Sequence, residues 1–196
     1  MASRSSAAPL VLSALLTGAS GASAVRSLQE GPFLGRVIVE WLHPDGGPAR
    51  DMRLVESFGF RDPAGTEWTV PDGTVVNGAS IPRVLWTLVG SPFIGNYRRA
   101  SVIHDYYCQA RSRPWQAVHR MFYEAMLAGG VSPSRAKTMY GVVYASGPRW
   151  DPSGTAHSLG AHVMREDEVR ELERWIREAD PLLTEIESRV MGRHPR

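Results

Sequence analysis

The sequence predicts an α+β fold: a small antiparallel sheet of hairpins, followed by a bundle of about three helices and a C-terminal amphipathic helix. Two observations lead to this prediction. Residues 35–77 contain short segments rich in branched and aromatic side chains, separated by turn-forming clusters of Pro, Asp and Gly. Beyond Ser80, capping residues and apolar residues at helical spacing replace that pattern. We therefore expect the sheet to pack on the helices as one domain.

The strands are predicted from residue type and alternation. Four segments fit strands, at residues 35–42, 52–61, 67–70 and 74–77. The segments between them, 43–48, 62–65 and 71–73, have the composition of turns. Because these connections are short, neighbouring strands are expected to pair as antiparallel hairpins.

The helices are predicted from their start and stop signals. Three helices are expected at residues 96–111, 114–128 and 132–145, after a short apolar segment at 81–89. Asn96 and Ser132 can serve as caps, and Pro133 fits the first helical turn. The connection between the first two helices is short, so these helices are expected to lie antiparallel and adjacent.

The C-terminal residues 165–190 form an amphipathic pattern that Asp180-Pro181 is expected to break into two helices. The apolar stripe consists of Val169, Leu172, Trp175, Ala179, Leu182, Ile186 and Val190. It either docks on the domain or meets a partner helix, and docking is the preferred interpretation.

Length, net charge and cysteine content limit the kinds of protein that this chain is expected to be. The 196 residues suffice for one domain with a proper core. The net charge is +2, and no Lys and Arg stripe is interleaved with aromatic residues, so nucleic acid is not an expected partner. Cys108 is the single cysteine, and the fold is therefore expected to need no internal disulfide.

The first residues have the pattern of a secretory signal peptide. A polar start with Arg4 precedes small apolar residues over 7–19, and Ala-Ser-Ala at 22–24 matches a cleavage site. We therefore expect export to the periplasm or outside the cell; the alternative is an Ala- and Ser-rich tail. The predicted division is a signal peptide (1–24), one α+β domain (25–150), a linker (151–164) and a charged helical tail (165–196).

The strongest candidate for chemistry is the pair His104-Asp105 on the helix predicted at 96–111. Neighbours on a helix point about 100° apart, so each side chain needs its own partner. His104 shares a helix face with Cys108, and Asp105 shares one with Gln109. Cys108 itself is interpreted as a small buried residue.

His119 lies on the next helix, at a similar distance from the connection as His104. The two imidazoles are therefore expected to approach each other. His104, Asp105 and His119 are the predicted catalytic residues, as a general base with an orienting partner, and equally the predicted ligands of a divalent metal such as zinc. A structural polar cluster is the alternative, and the identity of any cofactor stays open.

The segment at 77–83 supplies the candidate binding residues Asn77, Ser80 and Arg83. Small residues here let backbone approach closely, and Asn77 and Ser80 can orient a site group. The alternative is a strand-to-helix corner with Ser80 as a helix cap. No Gly-x-Ser-x-Gly elbow surrounds Ser80, so it is not predicted to be a nucleophile.

These motifs together resemble an uncharacterised family of bacterial and phage proteins, the domain of unknown function family 1353. The matching residues are Val-Pro-x-Gly at 70–73, Asn-x-Ala-Ser-Ile-Pro-Arg at 77–83, His104-Asp105, Phe122 and Ala-x-x-Met-Tyr at 136–140. The resemblance covers residues 35–150 and implies no known activity. Asn77 and His119 stand where the family commonly has Asp, and Cys108 where it has Tyr. These exchanges favour a neutral hydrogen-bonded cluster or a softer metal over a hard cation.

A more distant likeness is to the secreted phospholipases A2, which carry His-Asp on one helix beside an Asp on an antiparallel helix. That likeness implies His104 as the base and Asp105 as a calcium ligand, but His119 occupies the place of the partner Asp. The calcium loop and the disulfides of those enzymes have no counterpart here.

Two functions remain in competition. The preferred one is a non-catalytic envelope or assembly protein with a buried His/Asp cluster, whose C-terminal helix meets an envelope or protein partner. The alternative is a small, phospholipase-like hydrolase of ester or amide bonds that uses His104 as base and Asp105 as orienting or metal-binding group. Exposure of the cluster discriminates between them, because a catalytic group must reach its substrate.

Overall fold

A computed structural model describes residues 31–42, 51–78, 80–85, 95–156 and 163–192. The predicted signal peptide at 1–24 and the predicted turn at 43–48 lie outside these residues. The described part is an α+β fold in which strands precede helices, as the sequence predicted.

In the part of the chain that the structure describes, six short strands form two antiparallel sheets of three strands each. The strands are β1 (Phe33–Leu34), β2 (Val39–Trp41), β3 (Met52–Leu54), β4 (Phe58–Arg61), β5 (Glu67–Val70) and β6 (Val75–Val76). One sheet has the order β1-β4-β5 and the other the order β2-β3-β6. The predicted third strand at 67–70 is found as β5, whereas β1 was not predicted.

The single strand predicted at 52–61 is wrong, because the chain leaves one sheet and enters the other within it. β3 pairs with β6, and β4 pairs with β5. Met52, Leu54, Phe58 and Phe60 are all buried, so the buried positions on the two sides of the bend keep the same phase. The bend is marked only by Glu56, which is exposed where strict alternation would place a buried residue.

Five helices follow the sheets within the described residues. They are α1 (Arg98–Ala110), α2 (Trp115–Ala128), α3 (Pro133–Ser146), α4 (Glu166–Ala179) and α5 (Leu183–Gly192). Pro133 occupies the first turn of α3, as predicted. Within the described segments, no helix combines the length and the apolar character needed to cross a membrane.

The predicted cap of α1 is wrong. Tyr97, rather than Asn96, precedes the first helical residue, and no side chain caps the helix. The Asn96 side chain instead donates from Nδ2 to the Gly130 carbonyl at 3.1 Å, which joins the start of α1 to the end of α2. The amide is therefore used for tertiary contact between the two helices.

α1 lies between the sheets and the other helices and thereby positions the site. Its Tyr107 hydroxyl accepts from the Thr69 backbone N–H at 3.1 Å, and its ring meets Trp68 edge-on at 5.0 Å. At its end, Arg111 adopts a left-handed conformation (φ 51°) that turns the chain into α2. α1 and α2 pack against each other along their length.

The C-terminal helices dock on α3. Val169, Leu172 and Ile176 of α4 and Ile186 and Val190 of α5 are buried. The break predicted at Asp180-Pro181 separates the two helices, and Asp180 is left-handed there (φ 42°). This turn leaves Leu182 of the predicted stripe 69% exposed. The division of the chain into domain, linker and tail stays a prediction.

Candidate functional site

The site is built around two buried imidazoles. His104 of α1 and His119 of α2 are both fully buried, and His104 Nε2 lies 2.9 Å from His119 Nδ1. The predicted approach of the two rings is therefore confirmed. It follows from the short connection between the antiparallel helices, which brings positions at similar distances from the turn to the same level.

Ser80 connects His104 to Asp105. Its hydroxyl donates to Asp105 Oδ1 at 2.7 Å, and the same Oγ lies 3.2 Å from His104 Nδ1. Although His104 and Asp105 are neighbours on α1, their side chains diverge, and Ser80 comes between them from the preceding loop. The result is a continuous buried chain of Asp105, Ser80, His104 and His119, called here the polar chain.

Asp105 also holds the loop that follows β6. Its Oδ2 accepts the backbone N–H groups of Asn77 at 2.9 Å and Gly78 at 3.1 Å, and its Oδ1 accepts that of Ser80 at 3.2 Å. Gly78 has a φ of 71°, which glycine adopts without strain. Gln109, which shares the helix face with Asp105, donates to Oδ2 at 3.3 Å. The carboxylate thus anchors the loop to the helix.

The predicted binding residues have different positions. Ser80 is buried inside the polar chain. Asn77 contacts the polar chain through its backbone N–H, which donates to Asp105. Arg83 is exposed at the start of the helical turn at 83–85. Sequence reasoning did not foresee that Ser80 would bridge His104 and Asp105, because the pairing of a loop with a helix 25 residues later leaves no periodic signal.

Burial keeps both imidazoles neutral at pH 7. It lowers the pKa of His104 to about 4, against the opposing effect of the Asp105 charge. Burial, reinforced by neighbouring His104 and Arg149, lowers the pKa of His119 well below its ordinary value. Each ring therefore carries one proton and one lone pair.

The proton positions follow from Asp105. An ionised carboxylate only accepts hydrogen bonds, so Ser80 donates its hydroxyl proton to Asp105. His104 then donates from Nδ1 to Ser80 and accepts at Nε2 from His119 Nδ1. His119 Nε2 is left as a buried lone pair without a partner of full hydrogen-bond geometry. The Pro148 backbone borders the ring and favours its charged form.

Cys108 lies beside the two imidazoles. Its Sγ lies 3.6 Å from His104 Nε2, and it is buried. One ligand atom each from His104, Cys108 and His119 lies within 4.8 Å of the others. Burial, reinforced by the Asp105 charge, raises the pKa of the Cys108 thiol well above its ordinary value. Sequence reasoning placed Cys108 on the face of His104 but read it only as a core residue.

The three predicted metal ligands are not brought together as a set. Asp105 turns towards the loop amides, so Cys108 rather than Asp105 faces the imidazoles. The catalytic and metal-binding roles predicted for His104, Asp105 and His119 stay predictions.

Aromatic side chains surround the imidazoles. The Phe122 ring lies 4.7 Å from the His104 ring, and the Trp115 ring lies 5.4 Å from the His119 ring, edge-on. Tyr144 meets His119 at 6.4 Å. Together with the helices, these rings exclude water from the polar chain.

The order of groups differs from that of a serine hydrolase. In the Ser-His-Asp triad the imidazole lies between the other two groups and takes the serine proton. Here Ser80 lies in the middle and donates to Asp105. The proton acceptor of the serine is therefore a carboxylate rather than an imidazole.

Comparisons with known proteins place the chain among uncharacterised relatives. It is 48% identical over 106 residues to the uncharacterized protein y4jT of Sinorhizobium fredii (strain NBRC 101917 / NGR234), a match covering 54% of this chain and 32% of that protein. It is 45% identical over 104 residues to the uncharacterized protein y4iH of the same strain, covering 53% and 44%. The chain therefore spans less than half the length of either relative. No solved structure matches it significantly.

The family resemblance drawn from the motifs is confirmed, whereas the likeness to secreted phospholipases A2 stays a prediction. The model of a family described as protein of unknown function (DUF1353) matches residues 52–143. That range includes β3 to β6, α1 and α2, and with them every member of the polar chain and Cys108. Over residues 52–143, this chain is therefore similar to the DUF1353 family of proteins of unknown function.

Proposed function

We propose that this chain is an exported, non-catalytic protein of the cell envelope or of a larger assembly, in which the polar chain fixes the loop at 77–80 on the α1–α2 pair. One observation carries the proposal: His104 and His119 are fully buried and hydrogen-bonded to each other. Hydrogen-bonded polar networks in a core rigidify it and specify one packing arrangement. Every link from Asp105 to His119 is made here, and His119 Nε2 at the end of the polar chain is left without a partner.

The same observation weighs against the alternative, an ester or amide hydrolase with His104 as base and Asp105 as orienting group. A general base must reach the proton that it removes. Both ring nitrogens of His104 contact protein groups, and its pKa of about 4 makes it a weak base at neutral pH. Asp105 is engaged with loop amides rather than with the imidazole.

A partner would meet the outward face of the C-terminal helices. Most of their large apolar residues are buried against the domain, whereas Leu182 between the helices and Met191 of α5 are exposed. The outward face of α4 is charged and carries the ion pairs Arg170–Glu166 and Arg177–Glu173. Contact with an assembly partner through α4 is therefore expected to be polar and weakened by salt.

His104→Ala tests the structural role. Removing the imidazole leaves Ser80 or His119 unsatisfied in the interior, so we expect the free energy of unfolding to fall by about 1–3 kcal/mol. Ser101→Ala is the matched control, because Ser101 is also buried on α1 but bonds only the Tyr97 carbonyl one turn earlier. Its expected cost is below about 1 kcal/mol.

Urea unfolding of both variants should be combined with hydrolysis assays on ester and amide substrates. The proposal expects a stability loss confined to His104→Ala and no hydrolysis by the parent protein. A parent that hydrolyses such substrates, together with a His104→Ala variant of parental stability and no activity, would establish the hydrolase instead.

Export is tested separately. The proposal rests here on the ordered pattern of Arg4, the apolar run at 7–19 and Ala-Ser-Ala at 22–24. N-terminal sequencing of protein from the envelope fraction should begin at Val25. A chain that retains Met1 in the cytoplasmic fraction would refute export without affecting the structural role of the polar chain.

A further inference from the structure

One ring nitrogen of the polar chain lacks a hydrogen-bond partner. Three contacts each use one proton: Asp105 with Ser80, Ser80 with His104, and His104 with His119. The Ser80 hydroxyl and the two neutral imidazoles supply these three protons. None is left for the buried His119 Nε2, so the polar chain is one proton short.

A cation between the imidazoles removes this deficit. If it lies between His104 Nε2 and His119 Nδ1, both nitrogens use their lone pairs, and His119 carries its proton on Nε2, beside the Pro148 backbone. A proton on one imidazole would also fill the gap, but burial disfavours an imidazolium here. A metal ion uses both lone pairs without charging either ring.

We propose that His104 Nε2, His119 Nδ1 and Cys108 Sγ bind a soft divalent metal ion of the zinc class. One ligand atom from each of these residues lies within 4.8 Å of the other two, and all three residues are buried. Imidazole and thiolate are the ligands that zinc prefers in proteins.

The distances fit tetrahedral coordination. Ligand bonds of about 2.0 Å to nitrogen and 2.3 Å to sulfur place a tetrahedral N and S about 3.5 Å apart. Cys108 Sγ and His104 Nε2 are 3.6 Å apart. Two tetrahedral nitrogens lie about 3.3 Å apart, so the two imidazoles, now at 2.9 Å, need to separate by a few tenths of an ångström.

The surroundings supply the outer hydrogen bonds that metal-bound histidines need. His104 donates from Nδ1 to Ser80, which donates in turn to the Asp105 carboxylate. Such outer partners fix the tautomer and orientation of a ligating imidazole. Asp105 thus acts through Ser80 as a positioning residue and does not coordinate the ion.

Charge and protons balance on binding. The Cys108 thiol loses its proton to solvent as the metal–sulfur bond forms, and the His119 proton moves from Nδ1 to Nε2. A divalent ion, one thiolate and the Asp105 carboxylate then sum to zero net charge. Three protein ligands leave the fourth position of the ion open, as in catalytic zinc sites. Because all three ligands are buried, substrate does not reach that position, which agrees with a non-catalytic protein.

Cobalt(II) is the most specific probe, because thiolate coordination gives it an intense charge-transfer absorption in the near ultraviolet. Cys108 is the only cysteine of the chain, so any such absorption identifies it as a ligand. The full chain should be produced in medium supplemented with Co²⁺, so that the buried site is loaded during folding. We expect the thiolate band in the parent protein and its loss in His119→Gln, with the folded state checked by circular dichroism.

A folded parent that lacks the band would overturn the proposal, as would an undiminished band in both His104→Gln and His119→Gln. If the histidine variants do not fold, Cys108→Ala replaces them, since it changes only a small side chain. The parent grown with Zn²⁺ should then contain one zinc per chain, and Cys108→Ala should contain none. Equal zinc content in the two proteins would place the ion elsewhere and contradict the site.

Discussion

Asp105 receives both hydrogen-bond donors of Ser80: the backbone N–H at 3.2 Å and the hydroxyl at 2.7 Å, each on Oδ1. The other oxygen receives the amides of Asn77 and Gly78. One carboxylate thereby fixes the loop between the sheets and the helices and sets the direction of the hydrogen bonds that continue to His119.

Asp105→Asn is expected to destabilise the protein by about 3 kcal/mol, because the amide loses the charge and turns an N–H donor towards other donors. Asp72→Asn is the matched control, since Asp72 is exposed in the turn before β6, and it should change stability by less than about 0.5 kcal/mol. Urea unfolding measures both. Equal midpoints for the two variants would show that the carboxylate does not hold the loop.

Acid should destabilise the metal-free protein more strongly than a variant without His104. Burial lowers the pKa of folded His104 from 6.5 to about 4. Between these values the unfolded chain binds a proton that the folded chain does not, so stability falls as the pH falls. The contribution is about 3 kcal/mol when the pH reaches 4, and it is absent above pH 7.

The measurement is the free energy of unfolding in chelator at pH 7.5 and at pH 4.5, for the parent and for His104→Gln. Both proteins contain the same carboxylates, so the difference between their pH dependences isolates the imidazole. If lowering the pH costs the parent protein no more stability than it costs His104→Gln, His104 is not a buried neutral imidazole.

Gly141 of α3 permits the close approach of the C-terminal helices. A Cβ at this position would lie 2.9 Å from both Leu172 of α4 and Ile186 of α5, which are buried. Gly141→Ala gains about 1 kcal/mol of helix propensity but overpacks the interface at a cost of about 1–3 kcal/mol. We expect a net loss of stability.

Gly192→Ala is the control, because a Cβ there meets no atom within 4 Å. Thermal unfolding should give a lower Tm for Gly141→Ala and an unchanged or higher Tm for Gly192→Ala. A higher Tm for both variants would mean that α4 and α5 do not press on α3 as the structure describes.

The sequence predicted the helices well because their signals are local. Pro133 and the break at Asp180 lie where the structure has helix boundaries, and the short connection after α1 was enough to bring His104 and His119 together. In the same way, helical spacing placed Cys108 beside His104 and Gln109 beside Asp105. Each inference depended only on residues near one another in the chain.

Long-range relationships could not be predicted in this way. After Leu54 the chain moves to the other sheet, but Phe58 and Phe60 remain buried in the same phase as Met52 and Leu54, and only the exposed Glu56 departs from the pattern. The role of Ser80 depends on where its loop contacts α1, and the spacing of residues along the sequence contains no information about that contact. Asp105 was assigned to the imidazole site for the same reason, although its carboxylate points to the loop amides.

The most direct test of the structural role is a double-mutant cycle between Ser80→Ala and His119→Gln, measured by urea unfolding in chelator. Ser80 and His119 occupy opposite sides of the His104 ring and are connected through it. If the polar chain stabilises the fold as one unit, the two changes should be non-additive by about 1 kcal/mol or more. Additivity within about 0.5 kcal/mol would contradict a single buried network.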